Sequence, residues 1–293
     1  HKSPCRLVGD AHEKHDGGSR KSATPSNCPP RRPLNQCSII IPIFASQHNP
    51  HFRNRHQETY FKTRPKTVIA LIMSKNENKP NTVFDRALLA QRQARAARDF
   101  HNYDFLFREV AERLSERRSE VLHDFANALH IGPASDVLTG AAKTQTFANT
   151  RNKPHMELDE EDLGIEAATH DLITSNMTLQ WVNDLPGALI QTRRALAPDG
   201  LFLAAIPGGE TLQELRQSLM QAELDITGGA AQRMSPMVDV KSLGMLLMRA
   251  GFALPVVDVD RIEVSYADPL RLLSDLRGMG EASALVDRGT KPL

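Results

Sequence analysis

The chain has 293 residues, 40% of them hydrophobic and 24% charged, which is enough for one α/β domain of ordinary size with extensions. Its formal charge of +1 conceals a division, because residues 1–72 hold 12 Lys/Arg against 4 Asp/Glu and the remainder holds 24 against 31. A mildly acidic main part gives no argument for nucleic-acid binding. The three cysteines (Cys5, Cys28, Cys37) all lie in the basic segment. An odd count argues against a disulfide framework and fits a reducing compartment. His1, His12 and His15 stand near Cys5, but the spacings match no closed C-x-x-C zinc pattern, so no metal site is read.

Residues 1–72 carry eight of the 18 prolines and six of the 11 histidines and show no sustained period. Their one apolar run, Ser38 to Ala45, is interrupted by Pro42 and is far shorter than the roughly 20 residues that span a bilayer. No integral membrane segment is read anywhere in the chain. The run also sits too far in to be a signal-peptide core. Richness in Arg, Ser and His fits a mitochondrial transit peptide in composition, but no amphipathic helix emerges. The segment reads as a disordered or non-native extension, with Met73 as a natural start and His1 as an unnatural one.

From Thr82 the pattern is helical: Val83, Phe84, Ala87, Leu88, Ala94 and Ala97 recur at three- and four-residue intervals. Phe105, Val110, Leu114 and Val121–Leu122 mark a second helix. These two form an N-terminal helical cap over 73–126, ahead of a main domain over 127–293. Asn127–Ile131 is expected as the first strand, Gln145–Ala148 as a short second and Met156–Leu158 as a third, entering the acidic turn Asp159-Glu160-Glu161-Asp162.

Asp171 to Pro207 is the most telling stretch. An apolar strand at Leu172–Ile173 is followed by a polar turn at Ser175–Asn176. A helical pattern then runs through Leu185, Ala188, Leu189, Thr192 and Leu196, and after Pro198-Asp199-Gly200 a buried-type strand covers Leu201–Ile206. This is a βαβ unit, the building block of a parallel sheet. Ligands on such sheets gather at the carboxyl ends of the strands, here around Ser175–Asn176 and Pro207–Gly209. A helix at Thr211–Leu224, another at Val240–Ala250 capped by Gly251, and strands at Val256–Val259 and Ile262–Tyr266 complete the pattern.

The wording of this region carries a resemblance. SNMTLQWVNDLPGAL…RRALAPDG is similar to the second half of a class I S-adenosylmethionine-dependent methyltransferase of the type 11 kind. GGETLQELRQSL (208–219), SPMVDVKSLGMLLMRAGF (235–252), DVDRIEVSY (258–266) and DLRGMGEA (275–282) resemble a narrower group. That group comprises the mitochondrial complex I assembly methyltransferase-like proteins and their bacterial relatives, near the malonyl-carrier-protein methyltransferases. The resemblance runs from about Val83 to Leu293 and implies a Rossmann-like class I methyltransferase fold. Such a fold is an α/β architecture with a mostly parallel seven-stranded sheet and an antiparallel edge hairpin, which here would join Val256–Val259 to Ile262–Tyr266. The family continues some dozens of residues further, so Leu293 reads as a truncated end.

The resemblance also implies a site. S-adenosyl-L-methionine would bind where the first strand turns into a helix, at a D-x-G-x-G-x-G pattern. The matching residues run from His130 through Gly132 to Asp136, and only Gly132 survives. Pro133 removes an N–H, and Ala134 and Ser135 disfavour positive φ. Asn149 stands where a carboxylate would hold the ribose hydroxyls, Asp159 with Glu160 would meet the adenine, and Asn176 would lie beside the sulfonium. Trp181 reads as a packing anchor or as a wall of the substrate pocket. Gly208, Gly209 and Glu210 read as a turn or as acceptor-side contacts, with Arg216 available beside them. Arg277 to Glu281 is implied as a substrate-side cover. Asn183 or Asp184 before Leu185-Pro186 needs no function, being a good helix N-cap.

Two functions follow as expectations. One is a methyltransferase with a small-molecule or protein acceptor. The other is a non-catalytic or hydroxylase-type assembly factor whose partner is a respiratory complex I subunit, a group associated with arginine hydroxylation. Either implies the cytoplasm in a bacterium or the mitochondrial matrix in a eukaryote. Serine-hydrolase elbows, H-E-x-x-H and P-loop patterns do not occur.

Overall fold

The computed structural model describes the backbone of residues 6–8 and 36–45 and the chain over 82–148, 158–229 and 231–288. Seven strands form one sheet: β1 (Arg6–Val8), β2 (Gln36–Ala45), β3 (Phe125–Ile131), β4 (Ala142–Ala148), β5 (His170–Asn176), β6 (Leu196–Pro207) and β7 (Ala253–Ser265), in the order β1-β7-β2-β6-β5-β3-β4. Pairs β3–β4, β3–β5, β5–β6 and β1–β7 are parallel, while β2 runs antiparallel to both β6 and β7. The expected α/β class and mostly parallel sheet are therefore observed.

The helices are α1 (Arg86–Ala96), α2 (Phe105–Ser119), α3 (Leu185–Ala195), α4 (Gln213–Thr227), α5 (Val240–Ala250) and α6 (Pro269–Gly278). Alternation along the central strands explains why both faces are covered. Leu172, Leu201, Leu203 and Ala205 pack with Phe107, Val110 and Leu114 of α2, whereas Ile173, Phe202, Ala204 and Ile206 pack with Leu189 of α3 and Leu243 and Leu247 of α5. Asp184 caps α3 by accepting from Gly187 N at 2.9 Å, with Pro186 in the first turn, and Gly251 ends α5 at φ 89°. Thr211 does not cap α4. Leu212, at φ 53°, occupies that position without a side-chain cap.

Three expectations differ from what is observed. The antiparallel hairpin at 256–266 is absent, since Ala253–Ser265 is one continuous strand. Val257 to Ile262 contains no glycine to follow an Asp in a tight hairpin turn, and its β-branched residues favour an extended chain that runs straight through. The antiparallel partner is instead β2, from the segment expected to lie outside the domain. Three consecutive isoleucines favour extended pairing there, and Pro42 withholds only one N–H from a ten-residue ladder. Third, no α-helix follows β3. Residues 132–141 carry only a 3-10 turn (Ser135–Leu138), shorter than the dozen or more residues of an ordinary parallel crossover. Pro133 and two glycines in ten residues leave no room for helical turns. The strand expected at Met156–Leu158 lies largely outside the described residues.

Candidate functional site

In an open parallel sheet, ligands sit where the strand order reverses. Here that is the gap between the carboxyl ends of β3 and β5, because the sheet grows from β3 to β4 on one side and from β5 to β6 on the other. Gly132 and Asn176 meet at this point. Gly132 adopts φ 110°, and a Cβ there would stand 2.5 Å from the Asn176 carbonyl oxygen and 2.9 Å from Thr178 Cγ2. The buried Asn176 side chain donates through Nδ2 to the carbonyls of Pro133 (2.8 Å) and Phe107 (3.0 Å). Its Oδ1 is buried without a hydrogen-bond partner. The residue thus ties the loop after β3 to the first turn of α2. Ala134 takes the left-handed conformation at φ 56°, despite its Cβ.

His130 lies inside the sheet core rather than in the turn. It is 0% exposed, its Nδ1 is 2.8 Å from Thr174 Oγ1 and its Nε2 is 3.2 Å from Gln145 Oε1. Its ring stacks on Phe147 at 5.2 Å. Burial pushes the His130 pKa down to about 4, so the ring is neutral at pH 7. Asn149 lies outside the described residues. At the acidic turn, Arg86 of α1 spans two carboxylates, donating from Nη2 to Asp159 Oδ1 at 2.7 Å and to Glu160 Oε2 at 3.1 Å. Asp159 is open to solvent, whereas Glu160 is buried and burial raises its pKa.

These residues do not fit a tight S-adenosylmethionine site. The turn offers no helix N-terminus and lacks the N–H of residue 133, and both ring nitrogens of the residue at the expected carboxylate position are engaged. Asp159, where the resemblance implies an adenine contact, is already held by the Arg86 guanidinium.

A second concavity, of about 310 Å3, opens beyond the carboxyl ends of β5, β6 and β7. Met177, Leu215, Met234, Val264, Leu272 and Met279 give it apolar walls, and its polar lining includes Gln180, Trp181 and Glu281 together with Arg233, Asp275 and Arg277. Glu281 Oε2 accepts from Trp181 Nε1 at 2.7 Å and from Gln180 Nε2 at 3.3 Å. Trp181 packs edge-on against Phe84 with centroids 5.3 Å apart, in a cluster with Leu89, Ala284 and Leu285 that closes the cap over the site. Of the expected acceptor-side residues, Trp181 lines this cavity. Gly208 and Gly209 form a turn outside the lining, and Glu210 pairs with Arg261 at 3.0 Å on the surface.

Sequence reasoning missed Gln180 and Arg86. Gln180 sits beside the tryptophan it would have accompanied, and Arg86 is one arginine among several on an ordinary helix pattern. Glu281 fell within the implied cover segment but was not singled out.

An open parallel sheet with helices on both faces and a crevice at its strand ends is the architecture of the class I methyltransferases. The chain belongs to the methyltransferase-domain family, whose model matches residues 77–255. It is 37% identical over 225 residues to the mitochondrial arginine-hydroxylase NDUFAF5 of Danio rerio, covering 70% of each chain. Over 130 residues it is 38% identical to a malonyl-(acyl-carrier protein) O-methyltransferase of Methylovorus, covering 44% of this chain and 42% of that one. A solved S-adenosylmethionine-dependent methyltransferase from Thermotoga maritima superposes at TM-score 0.40 with 15% identity, covering 60% of this chain and 95% of that one.

Proposed function

We propose that this chain is an assembly-type member of the methyltransferase-domain family that binds an arginine of a protein partner, with methyl transfer not its principal chemistry. The partner is a subunit of respiratory complex I or of its bacterial counterpart, met in the mitochondrial matrix or the bacterial cytoplasm respectively. The observation that carries this reading is a contrast within the site. The turn after β3 packs Gly132 directly on Asn176 and leads into a 3-10 turn instead of an α-helix, whereas the cavity beside Trp181 has the apolar walls a side chain needs. The relationship to NDUFAF5 supplies the substrate class, and the apolar walls of the cavity suit a long aliphatic side chain.

Titration calorimetry with S-adenosylmethionine tests the proposal, alongside capture of the partner subunit and its mass spectrometry. The expected result is no heat at millimolar cofactor with the subunit retained. Micromolar cofactor binding and a methyl group on the subunit would overturn it. Methyl transfer is kept as the second reading because the family match spans 77–255 and one relative is an O-methyltransferase.

A further inference from the structure

We infer that Arg92 and Arg95 of α1, with Arg288 of the segment beside it, form a binding site for a phosphate dianion, free or as a small ester. The segment is fixed first. Ala284 O accepts from Asp85 N at 2.8 Å and Val286 N donates to Val83 O at 3.0 Å, with Leu285 opposite Phe84. Carbonyls alternate sides along an extended chain, so those of Ser283 and Leu285 face away from 83–85, two residues or roughly 7 Å apart. Each of them holds an arginine. Arg92 Nη1 donates to Ser283 O, and Arg288 Nη1 donates to Leu285 O at 2.9 Å. Arg95, one turn along α1 from Arg92, adds a third guanidinium from the exposed side.

Guanidiniums repel one another, and gathering them costs free energy unless negative charge is close. Burial, and then the charges of Arg288 and Arg95, lower the pKa of Arg92. Among the described residues none of the three forms an ion pair. Asp85 acts on Arg92 only from a distance, its side chain being committed to the α1 N-cap, where it accepts from Leu88 N at 2.9 Å. Asp287, next to Arg288 in the chain, is exposed and pairs with neither. Each pinned guanidinium spends one N–H on a carbonyl and keeps the rest of its fork. No nitrogen of either is sealed from solvent without a partner, so the spare donors open outward. Forks held side by side suit the oxygens of a tetrahedral anion. A carboxylate, with one charge and two oxygens, would leave a guanidinium unserved, whereas a phosphate dianion offers three oxygens or more and two charges.

The full chain is titrated with inorganic phosphate and, separately, with glycerol 3-phosphate, followed by phosphorus NMR. Ionic strength is held fixed by chloride, and the buffer is alkaline enough to keep the dianion. The expected result is a saturable shift of the phosphorus resonance. Arg95→Gln removes a charge that makes no hydrogen bond or ion pair within the protein. It should leave the melting temperature in chloride unchanged and weaken phosphate binding several-fold. Arg288→Gln should weaken binding further, because that guanidinium is held at the site by Leu285. Should Arg288→Gln unfold, Arg95→Gln alone keeps the test decisive. Equal or weaker binding of the ester supports a site for free phosphate, and tighter binding supports a site for a small phosphate ester. No shift with either probe, or parent-like binding by the variants, would overturn the inference.

Discussion

Gly132 and Asn176 are in direct backbone contact across the end of the sheet, with no space between them for even one methyl group. Gly132→Ala forces a Cβ to 2.5 Å from a backbone oxygen at a φ that L residues rarely adopt. The nearest atom is backbone and not the end of a flexible side chain, so relief requires β3 and β5 to part. We expect a loss of about 2–5 kcal/mol in urea unfolding. A loss below about 1 kcal/mol would show that the loop is not seated as described.

The Arg86 clamp separates an exposed ion pair from a buried one. Asp159→Asn should cost under about 1 kcal/mol, because that carboxylate is screened by solvent. Arg86→Met leaves Glu160 buried without its cation, so about 1–3 kcal/mol of stability should be lost at pH 7 and partly recovered as the pH is lowered, because burial already raises the Glu160 pKa and a protonated carboxyl no longer needs the cation. Chemical denaturation as a function of pH measures both effects. Equal losses for the two variants would refute the distinction.

His130 makes stability depend on pH in the weakly acidic range. Its folded pKa of about 4 lies below the ordinary value of 6.5, so between these values the unfolded chain binds the extra proton. Stability is fully present above about pH 6.5 and declines as pH falls toward 4, by an amount on the order of 3 kcal/mol. His170, also lowered by burial, adds a slope of the same sign, while Glu160 acts with the opposite sign nearer its own range. Comparing the pH profile of the parent with that of His130→Gln isolates the histidine. An unchanged slope in the variant would contradict its burial as a neutral ring.

Removal of residues 1–45 takes β2 out of the sheet and leaves β6 and β7 with unpaired edges on the sides it bridged. Open edges of that length invite association between chains. The truncated protein should melt lower and sediment as larger species. A shortened chain that stays monomeric with an unaltered melting temperature would place β2 outside the working domain.

Much of the architecture is legible in the residues, and the exceptions have physical causes. The βαβ unit over Asp171–Pro207 can be read because Leu201–Ile206 alternates between two buried faces while Ala188, Leu189 and Thr192 keep a helical period. Asp258, Asp260 and Arg261 look like a turn in the sequence, but they lie mid-strand in β7, paired along β2. His130 matches a motif position in the cofactor turn, but it lies within β3, whose last four residues are all buried, and its ring is held by Thr174, Gln145 and Phe147. The pairing of Gln180 with Glu281, and of Arg86 with Glu160, joins residues far apart in sequence. No local period carries such information, and only the closed sheet brings the partners together.

The insertion of β2 between β6 and β7 also governs how quickly the chain can reach its native state. Ile40 pairs with Ile206 on one side and with Val259 on the other, so the last part of the sheet cannot form until the beginning and end of the chain have met. Closing loops of that length is entropically costly before any of the new contacts form. The βαβ core can assemble from contacts nearer in sequence, whereas completion of the sheet waits on this slow encounter. During that interval the paired edges of β6 and β7 stand open, and a folding chain is most exposed to capture by another of its kind.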